Sequence, residues 1–138
     1  TLAAQCPRCQ TAFKVVQDQL TAVGDIAMTQ RIANMDDGSY PGTFKYYQAL
    51  EAATGPQLWA PGHGEPRQDL LKTYGAFLAG IWEPCLQAVK DGKSESEAKD
   101  MVLKDPRILA RAQTMQGYAN NIGKYVSLAY LEAEKEAF

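Results

Sequence analysis

Histidine is the residue that this chain of 138 residues has least of, with His63 as its single example. Zinc centres that activate water commonly bind their ions through several imidazoles, because neutral nitrogen ligands suit zinc and leave the bound water acidic. One histidine cannot supply such a set. The count therefore excludes a hydrolytic zinc centre made of histidines from this chain alone.

Cysteine is also scarce, with three examples at Cys6, Cys9 and Cys85. An odd number with one close pair does not suit a disulfide framework. The Cys6-Pro7-Arg8-Cys9 turn is typical of half a zinc site rather than a redox motif, since no thioredoxin-like βαβ pattern surrounds it. Cys85 lies on the apolar face of a predicted helix, where we expect a buried core thiol.

Long apolar runs and an excess of one charge are missing as well. No run approaches the ~20 residues that a membrane-spanning helix needs. The net charge of −2 gives no electrostatic basis for binding nucleic acid or an anionic membrane. With 46% apolar and 22% charged residues, the composition is that of a soluble globular protein. We expect it in the cytoplasm or periplasm, with neither nucleic acid nor a membrane as its partner.

Helical patterns dominate the second half of the chain, so we expect an α/β protein that is mostly helical. Ser94 and Glu97 form a capping-box pattern at the start of one helix, and Asp105-Pro106 predicts a break after it. Pro84 lies inside the longest apolar stripe, where we expect a kink. The predicted helices cover 43–53, 66–90, 94–103 and a C-terminal segment from Tyr118, and the predicted strands cover 11–16 and 57–60.

Two polar residues occupy positions that suit chemistry. His63 follows a short predicted strand and lies between Gly62 and Gly64, which let the backbone bend sharply and leave the imidazole access to a cleft. A polar residue on a strand-end loop is a typical metal ligand in an α/β scaffold. Asp25 follows Gly24 inside an apolar stretch, so it either faces solvent or has a partner, because burying an unpaired carboxylate is costly. Considered alone, Asp25 suits a turn or an exposed strand.

Taken together, these residues resemble the second half of the metallo-β-lactamase superfamily. The resemblance covers roughly residues 24–138, and the order of a Gly-Asp element before a Pro-Gly-His-Gly element is its most specific part. The segment from Asn121 to Tyr125 is similar to the tail of the quinoprotein-associated zinc metallohydrolases. The elements that carry the resemblance are Gly24-Asp25, Arg31-Ile32, Asp36-Asp37-Gly38-Ser39 and Pro61-Gly62-His63-Gly64.

The resemblance implies a fold and a chemistry. Residues 25–138 would be the C-terminal half of an αβ/βα sandwich, with the active site between the two halves. Asp25 would bridge two zinc ions, and His63 would complete the ligand shell of the second. The metals of this family activate a water that hydrolyses an ester, thioester or amide-like bond.

The front of the chain resembles a different family. Residues 5–24 look like the first half of a small bacterial zinc ribbon. The positions that carry this resemblance are Cys6, Cys9, Thr11, Phe13 and Val15. In that family a second CxxC closes a Cys₄ zinc site, and this chain has no second pair. The predicted organisation is therefore a zinc-knuckle-like segment over 1–24, followed by half a hydrolase domain over 25–138.

Two functions follow from these ligand sets. The first is a fragment of a metal-dependent hydrolase that is inactive alone and has no catalytic residue of its own, because the HxHxDH ligand loop of the family is absent from the sequence. The second is a non-catalytic metal-binding or interaction protein that uses Cys6 and Cys9. The expected cofactor is zinc, held incompletely by Asp25, His63, Cys6 and Cys9. A lone half would expose a sheet face, so we expect self-association, a complementary half, or rearrangement into helical packing.

Overall fold

The computed structural model describes residues 12–29, 31–32 and 38–138. Over these ranges the chain is a mixed α/β protein that is mostly helical, which confirms the coarse fold class. None of the described helices is long and apolar enough to cross a membrane. The elements are β1 (Phe13–Val15), β2 (Leu20–Gly24), α1 (Tyr40–Thr54), β3 (Leu58–Pro61), α2 (Leu70–Lys90), α3 (Glu95–Lys104), α4 (Pro106–Ala112) and α5 (Tyr118–Ala137).

The three strands form one sheet in the order β1-β2-β3. β1 and β2 are an antiparallel hairpin, whereas β2 and β3 run parallel, with Leu20 opposite Leu58 and Ala22 opposite Ala60. Parallel neighbours need a crossover connection, and α1 lies in that connection. The residues predicted to end a separate N-terminal segment thus form two strands of the sheet that includes β3.

Helix α1 begins three residues earlier than the sequence pattern predicts. The Ser39 side chain caps it, because its Oγ accepts a hydrogen bond from the Gly42 amide at 3.1 Å. Pro41 lies in the first turn, where backbone amides have no partner within the helix. Its lack of an amide hydrogen therefore costs no hydrogen bond there. The turn-rich stretch before residue 43 therefore contains the start of the helix.

Helix α2 begins at Leu70 rather than near Pro66. The backbone of Arg67 exchanges two hydrogen bonds of 3.0 Å with Trp59 of β3, in an isolated antiparallel bridge. That pairing holds Arg67 in the bridge, and a turn over residues 68–69 then leads into the helix. The Arg67 guanidinium donates to both carboxylate oxygens of Asp69. Pro84 lies inside the helix without ending it.

The described residues fall into two compact units that divide at Gly75 and Ala76, within α2. The first unit contains the sheet, α1 and the start of α2. A buried hydrogen bond of 2.8 Å joins the Thr21 hydroxyl to Gln57 Oε1, so these two buried polar side chains satisfy each other. The buried apolar side chains of this unit include Val23, Tyr40, Leu50, Trp59, Leu70, Leu71 and Tyr74.

The second unit is helical and has its own core. The predicted capping box is confirmed at the start of α3, where Ser94 and Glu97 cap each other's backbone. Cys85 is fully buried, as predicted, and burial with the charge of Glu95 raises the pKa of its thiol to about 12. The thiol therefore stays protonated near neutral pH. The core includes Phe77, Leu78, Ile81, Ala88, Ala98, Val102, Ile108, Ile122, Val126, Ala129 and Ala133.

A charged network fixes the start of α4 in this unit. The Asp105 carboxylate accepts from the Arg107 amide at 2.9 Å and from the Arg107 guanidinium at 2.9 and 3.0 Å. The same guanidinium donates to Glu83 of α2 at 2.6 Å. These hydrogen bonds from Arg107 lower the pKa of Asp105 below its ordinary value. The exposed fraction is 12% for the Asp105 side chain and 35% for that of Arg107, so solvent screens the Asp105–Arg107 ion pair in part.

We expect Asp105→Asn to lower the free energy of unfolding by about 1 kcal/mol at neutral pH, since the amide keeps the helix cap but loses the charge. A carboxyl whose pKa is lowered by folding stabilises the protein above its unfolded pKa. That stabilisation is lost as the pH falls through the folded value. Urea unfolding from pH 7 to acid pH should show the difference from the unmodified chain shrinking. The exposed residue Asp100 provides the control, and Asp100→Asn should change the stability by less.

Two adjacent tyrosines of α1 differ in their hydrogen bonding. Both side chains are buried, and the Tyr47 hydroxyl donates to the Ile26 carbonyl. The Tyr46 hydroxyl is buried with no hydrogen-bond partner among the described residues.

Tyr47→Phe should lower the free energy of unfolding by about 1 kcal/mol, because it leaves the Ile26 carbonyl without its donor. Tyr46→Phe should leave the stability unchanged or raise it, because it removes a buried polar group that has no partner. Urea unfolding of the two variants side by side tests this contrast, and equal losses in both would contradict it.

Candidate metal site

Asp25 and His63 lie together at one edge of the sheet. The carboxyl ends of adjacent parallel strands share an edge, and each of these residues follows such an end: Asp25 comes directly after β2, and His63 comes two residues after β3. Their nearest atoms, Asp25 Oδ1 and His63 Nε2, are 3.8 Å apart. The two residues, which lie far apart in the sequence, are thus close together in the fold.

Gly24 and Gly62 allow the turn after β2 and the turn after β3 to lie close together. The register shifts at the end of the sheet, so that Gly24 faces Pro61, and the Gly62 amide then donates to the Gly24 carbonyl at 2.8 Å. A Cβ placed on Gly62 would lie 1.9 Å from Asp25 Oδ1. The Asp25 carboxylate therefore occupies the space above Gly62 that any other residue would fill.

A second connection joins the loops beyond these residues. The Thr29 hydroxyl donates to the Glu65 carbonyl at 2.6 Å, and the Thr29 amide donates to the His63 carbonyl at 3.5 Å. These bonds hold the backbone on both sides of Gly64, which has a φ of 101° that favours glycine. The loop that carries His63 is thus tied to the loop that carries Asp25.

The pair is partly open to solvent. The exposed fraction is 44% for the Asp25 side chain and 51% for that of His63. At 3.8 Å the two atoms are too far apart for a hydrogen bond, and an ion pair this exposed stabilises a fold by at most ~1 kcal/mol.

The distance between the two donors is close to the spacing of two ligands on one zinc ion, but two donors alone are too few to hold the metal. Zinc–nitrogen and zinc–oxygen distances of about 2.0–2.1 Å in a tetrahedron place two donors roughly 3.4 Å apart, close to the 3.8 Å between Asp25 and His63. They do not fit a pair of zinc ions. Within the described ranges, no three side chains from histidine, cysteine, aspartate or glutamate are grouped so that they could hold a metal.

The other two predicted ligands, Cys6 and Cys9, lie outside the described residues, as do Asp36 and Asp37 of the resemblance. Cys85, predicted as a core thiol, is buried in the second unit with its thiol directed at the Val126 carbonyl, at 3.8 Å.

Three residues of the site's surroundings were not predicted: Thr29, Tyr47 and the Ile26 carbonyl. Sequence periodicity assigns Tyr47 to the apolar face of a helix, and it is buried as that pattern predicts. Its hydroxyl, however, bonds a carbonyl 21 residues earlier in the chain. A local sequence pattern cannot reveal a hydrogen bond between residues so far apart. The same holds for the bond from Thr29 to the Glu65 carbonyl.

Comparison of the chain with protein-family models, curated proteins and solved structures finds no match. The functional assignment therefore depends on the site's own residues and on the sequence elements that surround them.

Gly62→Ala should displace the Asp25 carboxylate from His63, because the new methyl group would overlap Oδ1. A crystal structure of the variant should show the distance from Asp25 Oδ1 to His63 Nε2 clearly longer than 3.8 Å. The matched control is Gly75→Ala in the same unit, where the added Cβ would meet only the Tyr47 ring at an ordinary 3.5 Å. An unchanged Asp25–His63 distance in Gly62→Ala would refute the steric argument.

Proposed function

We propose that this chain is the ligand-bearing C-terminal half of a metallo-β-lactamase-type, zinc-dependent hydrolase. In this proposal Asp25 and His63 bind metal, and the remaining ligands come from a complementary half. The observation that carries the proposal is the meeting of Asp25 and His63 at the shared edge of β2 and β3. The sequence resemblance implies a metal role for the same two residues, and their geometry is compatible with that role.

The chemistry of the two side chains supports this choice. A carboxylate and a neutral imidazole are both zinc ligands, and a site that keeps positions open for water is the form used in catalysis. The bound metal would supply an acidified water, and this chain would contribute two ligands at a separation fixed by its backbone. Because two donors are too few for the metal pair of the family, we expect no hydrolysis by the chain alone.

Metal binding by the complete chain is the first test. Titration with zinc and with cobalt(II) should show weak binding of one ion that shifts the ring signals of His63, which is the only histidine. Asp25→Asn and His63→Ala should each abolish this binding, since each removes one of two donors. The double variant Cys6→Ser with Cys9→Ser should leave the His63 signals and their cobalt response unchanged.

Two results would overturn the proposal. Binding that is lost with the cysteines and kept in Asp25→Asn would favour the non-catalytic knuckle protein. Hydrolysis of an ester by the purified chain, abolished by His63→Ala, would show that no further ligands are needed.

The reading frame upstream of Thr1 in the source gene provides the second test. We expect it to encode an HxHxDH motif, and we expect the extended chain to bind two zinc ions and to hydrolyse an ester or thioester. His63→Ala in the extended chain should remove the second zinc and the activity together. If the upstream frame lacks such a motif, the missing ligands must come from a separate partner protein that has it. A genome that encodes no such partner would refute the proposal.

A further inference from the structure

A cavity of about 600 Å³ lies in the first unit, at the beginning of β2 and β3 and thus at the opposite ends of these strands from Asp25 and His63. Gln19 comes directly before β2, and Leu58 is the first residue of β3. The Leu58 amide donates to the Gln19 carbonyl at 2.8 Å. The last turns of α1 border the same space through Glu51. The volume is within the ~300–1,000 Å³ range of sites that bind small molecules.

The exposed polar side chains of this cavity carry no positive charge. Asp18 and Glu51 contribute carboxylates, and Gln19 and Gln68 contribute carboxamides. No lysine, arginine or histidine is among the described residues that line it. Two carboxylates repel an anionic ligand, and an ammonium ligand, which only donates, would leave the carboxamide donors unpaired. The set therefore suits a neutral ligand that both donates and accepts hydrogen bonds, as hydroxyl groups do.

Trp59 and Leu58 complete the lining with a donor and an apolar surface. Trp59 is 3% exposed, and its backbone amide and carbonyl both bond to Arg67. No described residue accepts a hydrogen bond from its indole N–H, although a buried tryptophan usually has a partner for this donor. A ligand hydroxyl in the cavity would be such a partner. Leu58 is 38% exposed and offers a surface to the C–H groups of the same ligand.

A third glutamine of the lining, Gln57, supports the cavity from within the fold. It is 6% exposed, and its Oε1 accepts from the Thr21 hydroxyl at 2.8 Å. Its Nε2 donates to the carbonyls of Thr54 and Pro56, at 3.2 and 2.8 Å. These bonds join the end of α1 to the start of β3. The cavity wall is therefore ordered before a ligand binds, which lowers the entropic cost of binding.

Gln19 has a backbone conformation that glycine would adopt more easily. Its φ is 48°, in the left-handed region, and it is the only non-glycine residue with a positive φ in the described ranges. Backbone strain of this kind is concentrated at functional sites. The turn before β2 thus places a carboxamide beside the cavity at a position where a glycine would be less strained.

We propose that this cavity binds a neutral carbohydrate, with the carboxylates of Asp18 and Glu51 and the carboxamide of Gln19 hydrogen-bonded to its hydroxyls. The Trp59 indole donates to a further hydroxyl, and the C–H face of the sugar ring packs on Leu58. The inference goes beyond the proposed function and does not depend on the candidate metal site.

The test is an NMR titration of the complete chain with glucose, galactose, mannose, maltose and lactose. The chain has two tryptophans, so their indole N–H signals provide both a probe and an internal reference. The signal of Trp59 should shift with at least one of these sugars. The signal of Trp82, which is buried in the second unit, should not shift. The variant Trp82→Phe assigns the two signals.

Two glycine variants of the same turn separate the Gln19 side chain from the stability of the fold. Gln19→Gly should weaken sugar binding about three- to tenfold, the effect of losing one uncharged hydrogen bond. Its resistance to urea should stay the same or rise, because glycine suits a φ of 48°. Gln17→Gly is the matched control, since Gln17 is exposed, does not line the cavity and has no positive φ. It should lose stability and keep its affinity.

Four results would overturn the inference. The first is a Trp59 signal that no sugar shifts, and the second is one that shifts with 1,4-diaminobutane but with none of the sugars, which would indicate a cation site. The third is equal affinity in Gln19→Gly and the unmodified chain. The fourth is an equal loss of affinity in Gln17→Gly, because flexibility of the turn would then explain the effect. Asp25→Asn should leave sugar binding unchanged, so the metal and sugar proposals fail independently.

Discussion

The parallel pairing of β2 with β3 is the constraint on which the site depends. Asp25 and His63 are 38 positions apart in the sequence, and nothing local relates them. Parallel pairing places the carboxyl ends of both strands at one edge, and the Gly62–Gly24 hydrogen bond continues the pairing past the strand ends. An antiparallel arrangement of the same strands would put the two residues at opposite edges. The direction of one strand pair thus determines whether the two side chains lie close together.

The crossover that parallel pairing requires also supports the site. Helix α1 connects the two strands, and its buried face packs within the first unit. Because Tyr47 lies on that face and reaches the Ile26 carbonyl, the same helix both permits the strand direction and holds the turn after β2. Thr29 then ties that turn to the loop of the other strand, through Glu65. The connection through α1 therefore both allows the parallel pairing and contacts the turn that carries Asp25.

The sequence predicted the features that arise from neighbouring residues. The capping box at Ser94, the strand before Pro61 and the buried thiol of Cys85 each follow from a few adjacent side chains or one helical period. The start of α2 was misplaced because the backbone of Arg67 pairs with Trp59, a partner that no helical pattern reveals.

The candidate site could be predicted only in part, for a related reason. Asp25 alone suited a turn, and His63 alone was one histidine beside two glycines. The resemblance joined them, and the geometry of the strand ends is consistent with that link. Tyr47 could not be predicted, because an apolar-face tyrosine with a bonded hydroxyl looks the same in sequence as Tyr46, whose hydroxyl has no partner in the described part of the chain. The sequence shows the residue type, and only the fold shows the partner.

If Asp25 and His63 bind a metal as proposed, their positioning matters more than it would in a four-ligand site, because they are only two donors. In a four-ligand zinc site the metal itself can gather its ligands, because the energy of each bond offsets the cost of ordering the side chain. Two half-exposed donors gain less from the metal, so their affinity depends more strongly on a separation that exists before binding. Around Asp25 and His63, Gly62 leaves room for the Asp25 carboxylate, and the hydroxyls of Tyr47 and Thr29 donate to nearby backbone carbonyls. Under the proposed function, such a pair would suit a metal that further ligands already hold, since the two donors lie 3.8 Å apart in the folded chain.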